Sequence, residues 1–253
     1  MQTVLQGRGS NMTSKKEDEI VVGTLADKAD ESFIQSGVKE LDELIGGIPR
    51  GRITEFWGKE GCGKSHLASL IMANISKTHK VLFVDSEFSL NKSRVESLGA
   101  LPENIDYYAS SHLEEVCQLI IDSVGKYDLI ILDSLAFLTP NTVANSEMGE
   151  RAIGLFSLLI KQWVLKFRPK LGTSKTAFIA INQYRPSIGL YVVEESPGGK
   201  AWHHATDVRI RLSTASVDKI MDKKVQLGHW VHLIVKKSKV SQPFIESKTK
   251  IMY

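Results

Sequence analysis

The residues with the clearest chemical potential are consecutive: Gly58-Lys59-Glu60-Gly61-Cys62-Gly63-Lys64-Ser65. A glycine, four unconstrained positions and then Gly-Lys-Ser is the spacing of a loop that wraps phosphates with its backbone N–H groups. Gly58 and Gly63 permit backbone angles and close approaches that a side chain would block. Lys64 is placed to reach the β- and γ-phosphates of a nucleotide, and the Ser65 hydroxyl to ligate Mg2+. Lys59, Glu60, Gly61, Cys62 and His66 join the expected nucleotide-binding set. Cys62 fills an unconstrained position as an incidental small residue.

Three polar residues downstream could complete the chemistry. Asp133 ends the apolar run 128–132, where a carboxylate can orient the water shell of Mg2+ or merely cap a strand-to-loop junction. Glu87 follows the apolar run 80–85. It can polarise a water that attacks the γ-phosphate, or serve as a favourable charge in the first turn of a helix. Gln183 follows the apolar run 176–182. Its amide can donate to a γ-phosphate oxygen and lose that bond on hydrolysis, or simply be a polar residue leaving a strand.

These residues need a scaffold that delivers them to one place. Residues 53–57, 80–85, 128–134 and 176–182 are near-continuous apolar runs, the pattern of parallel strands buried on both faces. Between them, 65–73, 113–124 and the series Ile153, Phe156, Ile160, Trp163, Phe167 have helical spacing. A further helix is expected over 38–45, stopped by Gly46-Gly47, and a short strand over 105–108. Residues 207–213, 229–236 and 249–253 read as antiparallel strands nearer the sheet edge. Strands alternating with helices, and a ligand loop at a strand's carboxyl end, predict an α/β doubly wound, mostly parallel sheet.

Two segments leaving the same edge lack such patterning. Residues 140–149 are polar. Residues 184–202 carry Tyr184, Arg185, Tyr191, Gly198, Gly199, Lys200 and Trp202. Long loops in a compact domain are usually functional, and aromatics beside Arg and Lys suit single-stranded nucleic acid. Glu194 and Glu195 weigh against that partner.

Bulk properties set the limits. The chain has 253 residues, 42% hydrophobic and 24% charged, which suits one large α/β domain over 31–253 behind an unpatterned tail over 1–30. Met1 to Asn11 read as a leader preceding Met12. No apolar run reaches bilayer-spanning length, so no membrane association is expected. Two cysteines, Cys62 and Cys117, give neither a disulfide framework nor metal-ligand spacing, which points to a reducing, cytoplasmic compartment. A net charge of +3 does not announce a nucleic-acid partner. Eight lysines between 219 and 250 do make the C-terminal part locally basic, as a solvated face also would be.

The ordered stretches Ser36-Gly37-Val38 with Leu41-Asp42, GKEGCGKS, FVDSEFSL, LIILDSLAFLTP, FIAINQYR, GGKAWHHATDVRIRL and KKSKVSQPFIESKTKIMY resemble the ATPase core of the RecA/RadA recombinase family. The resemblance covers residues from about 35 to 253, and the second half is more similar to bacterial RecA. It implies a RecA-like P-loop NTPase fold with ATP and Mg2+ as cofactors, Glu87 activating water and Gln183 sensing the γ-phosphate. It makes 140–149 and 184–200 DNA-binding loops, with Asn141 and Arg151 in or beside the first. In the second stand Tyr184, Gly198, Gly199, Lys200 and, as leading contact, Arg185. It matches Lys237 and Lys239 to a lysine pair that reaches a neighbouring subunit's nucleotide.

Departures accompany these matches. Arg94 stands where the family often has an aromatic against adenine, and a guanidinium can stack there instead. The chain stops at Tyr253, before the extra C-terminal domain of bacterial RecA, and residues 1–30 show no clear counterpart of the family's N-terminal helix. A core of this kind resembles a phage-encoded or accessory member, in a bacterial or phage-infected cell. The expected activity is a DNA-dependent ATPase assembling on single-stranded DNA as a helical filament or ring, to pair, exchange or anneal homologous strands, with a recombination mediator as a further partner. A non-catalytic accessory paralogue and a hexameric helicase-type or KaiC-like motor share the same motifs.

Overall fold

The computed structural model describes residues 32–144, 154–186, 194–215 and 218–252, all within the unit 31–253. In chain order the elements are β1 (Phe33–Ile34), α1 (Lys39–Ile45), β2 (Ile48–Pro49), β3 (Ile53–Gly58), α2 (Lys64–Ser76), β4 (Val81–Asp85), α3 (Lys92–Ser97) and β5 (Ile105–Ala109). There follow α4 (Leu113–Ser123), β6 (Leu129–Asp133), α5 (Asn141–Ala144), α6 (Leu155–Gly172), β7 (Ala177–Gln183), β8 (Arg185–Pro186) and β9 (Glu194–Glu195). The last are α7 (Gly199–Ala205), β10 (Val208–Ser213), β11 (Lys219–Asp222), β12 (Val225–Ser238) and β13 (Glu246–Met252).

Six strands run parallel in the order β10-β3-β7-β6-β4-β5. Every residue of β3, β4 and β6 is buried, which is why these segments read as unbroken apolar runs rather than alternating ones. The sheet continues antiparallel from β10 into β12, which also pairs with β11 and β13. This is a doubly wound, mostly parallel α/β sheet with antiparallel strands at one edge, as the resemblance to a RecA-like P-loop NTPase core implies. One detail differs from expectation. β10 is antiparallel to β12 but parallel to β3, so it belongs to the central sheet. Its alternation is imposed by packing: Val208, Ile210 and Leu212 are buried, whereas Arg209, Arg211 and Ser213 are only half-buried. β12 is also longer than the expected 229–236, and β11 gave no strand signal among its polar residues.

Helices cover both faces. On one, α1 and α2 bury Leu41, Leu44, Ile45, Leu67, Ile71 and Met72 against Phe56, Phe83, Ile131 and Ile179. On the other, α4, α6 and α7 bury Ile120, Ile160, Phe167 and Trp202 against Ile53, Val84, Leu132 and Phe178. The aromatic centre of this second layer is a chain of rings. Trp163 stacks on Phe167 at 5.0 Å and on Trp202 at 5.8 Å, and Phe167 meets Phe178 edge-on at 4.9 Å. Such pairs add to simple area burial. Ile160, Trp163 and Phe167 thus occupy the buried face expected of α6, while Ile153 lies outside the described residues.

Phe167→Ala removes the ring that touches two others in a fully buried site. It is expected to lower unfolding free energy by about 3–5 kcal/mol, read from urea denaturation followed by far-UV circular dichroism.

Candidate nucleotide site and its neighbouring loops

Parallel strands put all their carboxyl ends on one edge, and the sheet register lines up the site there. Gly58 pairs with Gln183, and Asp85 pairs with Asp133. The phosphate loop springs from β3 and opens α2, whose N-terminal cap is Gly63 at φ 91°. A side chain would be strained at two of the glycines, Gly58 by backbone and Gly63 by its positive φ. A Cβ on Gly58 would lie 2.3 Å from the Leu212 carbonyl oxygen of β10, and one on Gly63 would lie 2.4 Å from Ile251 Cδ1 of β13. Lys64 is 8% exposed, and its ammonium donates to the carbonyls of Gly58 (3.0 Å) and Lys59 (2.8 Å). Cys62 packs in the first core layer, where burial pushes its thiol pKa up, in keeping with an incidental role.

A cleft of about 450 Å3 opens over this loop and collects Lys64, Ser65, Glu87, Arg94 and Gln183. Glu60, Gly61, Gly63 and His66 also border it, whereas Lys59 is exposed beside it with its ammonium 5.7 Å from the Tyr184 ring. Asp133 sits just beneath, beside the Ser65 side chain. Its Oδ1 is buried without a hydrogen-bond partner. Burial chiefly pushes its carboxyl up to about 7; the Ser65 side chain opposes this, and the neighbouring Glu87 and Asp85 add to it. A buried, unsatisfied carboxylate oxygen next to a hydroxyl, at a helix N-terminus that cradles phosphate, fits a hard divalent cation. Ser65 and Asp133 are the residues that could hold Mg2+.

Glu87 is fixed from both ends. Its Oε1 accepts from Ser134 Oγ at 2.6 Å, and its backbone N–H donates to Asp85. Arg94 projects from α3, with Nη2 2.6 Å from His66 Nδ1. Burial, the Arg94 charge and His229 lower the His66 pKa to about 4, so the neutral ring accepts from the guanidinium. Phe137, His229 and Ile251 also line the cleft without having been singled out in the sequence. His229 and Ile251 sit in β12 and β13, whose patterns announce strands but not what those strands lie against.

The residues expected in the two loops separate. Arg151 and Tyr191 lie outside the described residues, as do 145–153 and 187–193 of the loops themselves. Asn141 begins α5, where its N–H donates to Glu114 (2.9 Å) and its Oδ1 meets His112 Nδ1 (3.2 Å). Tyr184 donates its N–H to the Gly58 carbonyl at 3.0 Å, and Arg185 pairs through its backbone with Glu195 in the short β8–β9 ladder. Gly198 caps α7, Gly199 begins it and Lys200 is exposed on it. The expected unstructured segment 184–202 therefore ends in a helix. Trp202, expected as a loop aromatic, is instead fully buried. Its indole N–H donates to Glu55 at 2.8 Å, a partner that local patterning does not reveal because it is 147 positions away.

Lys237 and Lys239 lie away from the cleft. Lys237 Nζ donates to the carbonyls of His203 (2.7 Å) and His204 (3.2 Å) in α7. Lys239 pairs at 3.3 Å with Asp207, a fully buried carboxylate that also binds Arg52 and Arg168.

The raised pKa of Asp133 has a signed consequence. Between its ordinary value of 3.8 and about 7 the folded chain holds a proton that the unfolded chain releases. Its contribution to stability therefore falls as pH rises through that window. Without divalent ions, the melting temperature of the wild type relative to Asp133→Asn is expected to drop between pH 4 and 7. Added Mg2+ should cancel the drop in the wild type only.

The family model described as the RecA N-terminal domain matches residues 11–253. Protein RecA of Aquifex aeolicus is 33% identical over 255 residues, covering 98% of this chain and 70% of that protein. Protein RecA of Mycoplasma mobile is 32% identical over 246 residues, covering 94% of this chain and 73% of that protein. Protein RecA of Clostridium novyi is 34% identical over 228 residues, with 87% and 64% covered. On the strength of this match the chain belongs to the RecA family.

Proposed function

We propose that this protein is a DNA-dependent ATPase that assembles on single-stranded DNA and promotes pairing of homologous strands. The observation that carries the reading is the convergence of Lys64, Ser65, Glu87 and Gln183 on one cleft at the carboxyl edge of the sheet, with Asp133 just beneath Ser65. Glycine-loop amides and the α2 N-terminus bind the phosphates, and Lys64 moves from the loop carbonyls to the β- and γ-phosphates. Ser65 and Asp133 would hold Mg2+, which when bound would supply positive charge against the phosphate oxygens. Glu87, oriented by Ser134, accepts a proton from the attacking water. Arg94 and His66 offer the surface against which the base rests.

Gln183 is the link to DNA. It lies between the cleft and the segment that begins at Tyr184, and its own N–H is held by Asn182 Oδ1 at 3.0 Å. A bond from its amide to the γ-phosphate biases the conformation of 184–200, and hydrolysis removes that bias. Arg185, Tyr184 and Lys200 then meet backbone and bases of the strand, with Asn141 and Arg151 contributing from the first loop. Lys237 and Lys239 act in trans on the nucleotide of an adjacent subunit in a filament or ring, which makes hydrolysis depend on assembly.

ATP turnover is expected to rise on adding single-stranded DNA. Lys64→Ala should lower it about 100-fold or more, as loss of a phosphate-binding charge does. Arg185→Ala should weaken DNA binding across sequences and reduce the salt slope of affinity by about 1. Turnover indifferent to DNA, together with unchanged DNA affinity in Arg185→Ala, would refute the reading.

A further inference from the structure

We infer that Asp85 is a positioning residue for Glu87. It holds the 86–90 turn that presents the Glu87 carboxylate to the cleft, and the Tyr107 hydroxyl braces it from the edge strand. The inference deepens the ATPase reading and rests on it.

Asp85 closes β4 and is fully buried. Its carboxylate accepts four hydrogen bonds. Oδ1 takes the N–H of Glu87 at 3.1 Å, while Oδ2 takes those of Ser89 and Leu90, both at 2.9 Å, and the Tyr107 hydroxyl at 3.1 Å. Four donors match the acceptor capacity of an ionised carboxylate, so a group that is costly to bury is fully engaged in shaping one short turn.

Two observations argue that the turn serves Glu87. Phe88, between Glu87 and Ser89, has φ 56° and is 63% exposed. A left-handed conformation at a non-glycine residue costs about 1–3 kcal/mol, and an exposed ring recovers little of that by burial. The Asp85 bonds on either side therefore impose the shape. Nor is Asp85 needed to start α3. Asn91 caps that helix itself, its Oδ1 accepting the Arg94 N–H at 3.0 Å. The turn's product is the placement of Glu87, whose far end Ser134 Oγ secures.

The geometry makes Asp85→Asn informative. An amide oxygen facing Ser89, Leu90 and Tyr107 keeps three bonds but turns its NH2 toward the Glu87 N–H, donor against donor. The variant selectively releases Glu87. Tyr107 is 51% exposed on β5, and burial and Asp85 raise its pKa, so it stays a donor.

The test uses the full chain with Mg2+, ATP and single-stranded DNA, measuring kcat and KM alongside binding of a fluorescent methylanthraniloyl ATP. Glu87→Gln is expected to lower kcat about 100-fold, as loss of a general base does. Asp85→Asn should lower kcat about tenfold or more with KM and analogue affinity within about threefold, and should cost nothing further in the Glu87→Gln background. Losses that multiply in the double variant, or a raised KM with kcat intact, would overturn the inference while leaving the ATPase reading in place. A wild type that binds the analogue but never hydrolyses ATP would overturn both. Tyr107→Phe keeps the three backbone bonds and covers the case of a misfolded Asp85→Asn. It should lower kcat about threefold at unchanged KM, and an unchanged kcat overturns the inference.

Discussion

A single buried carboxylate ties the nucleotide loop to the segment expected to grip DNA. Glu55 lies in β3, three residues before the phosphate loop, and is fully inaccessible. Its Oε1 accepts from Asn182 (2.8 Å), Ser196 (2.7 Å) and Trp202 (2.8 Å), and its Oε2 from Arg209 at 2.6 Å. Asn182 precedes Tyr184 and also donates to the Pro197 carbonyl at 2.8 Å, so the two ends of the intervening segment meet at one charge. An unpaired charge there would be strongly destabilising. Fully satisfied, the network fixes both ends of the segment at one point behind the phosphate loop.

That anchoring would give physical content to the proposed communication between nucleotide and DNA. Gln183 stands between Asn182, which is locked, and Tyr184, whose N–H is held by Gly58 of the phosphate loop. Under the proposed mechanism, a change at Gln183 would be felt directly by these two held neighbours. The opposite side of the cleft is equally constrained, with Asp133 and Glu87 on neighbouring strand ends bridged by Ser134.

Much of this could be read from the sequence, for an identifiable reason. Parallel strands buried on both faces leave unbroken apolar runs, and their carboxyl ends share an edge, so pattern alone puts Asp133, Glu87 and Gln183 beside the loop. The failures are equally physical. Trp202 looked like a loop aromatic because its neighbours Gly198, Gly199 and Lys200 are loop formers, and its burial rests on distant partners, the Trp163 ring and the Glu55 carboxylate. β11 hid because Lys219 and Asp222 are exposed edge positions. His229 and Ile251 close over Gly63 from strands more than 160 positions away, a proximity that periodicity does not encode. Asp85 ended a strand like any other acid, and its four donors emerge only in three dimensions.

The lysine pair carries a consequence for assembly. Lys237 is already spoken for: the carbonyls at the end of α7 bind its ammonium within the same chain, and Asp207 does the same for Lys239. To serve an adjoining subunit, each must exchange a satisfied local partner for a foreign phosphate. If the pair acts as proposed, isolated molecules would be insulated from premature docking, and the exchange would become worthwhile only with a polyanion already seated next door. Cooperativity would then begin with a bond that has to break.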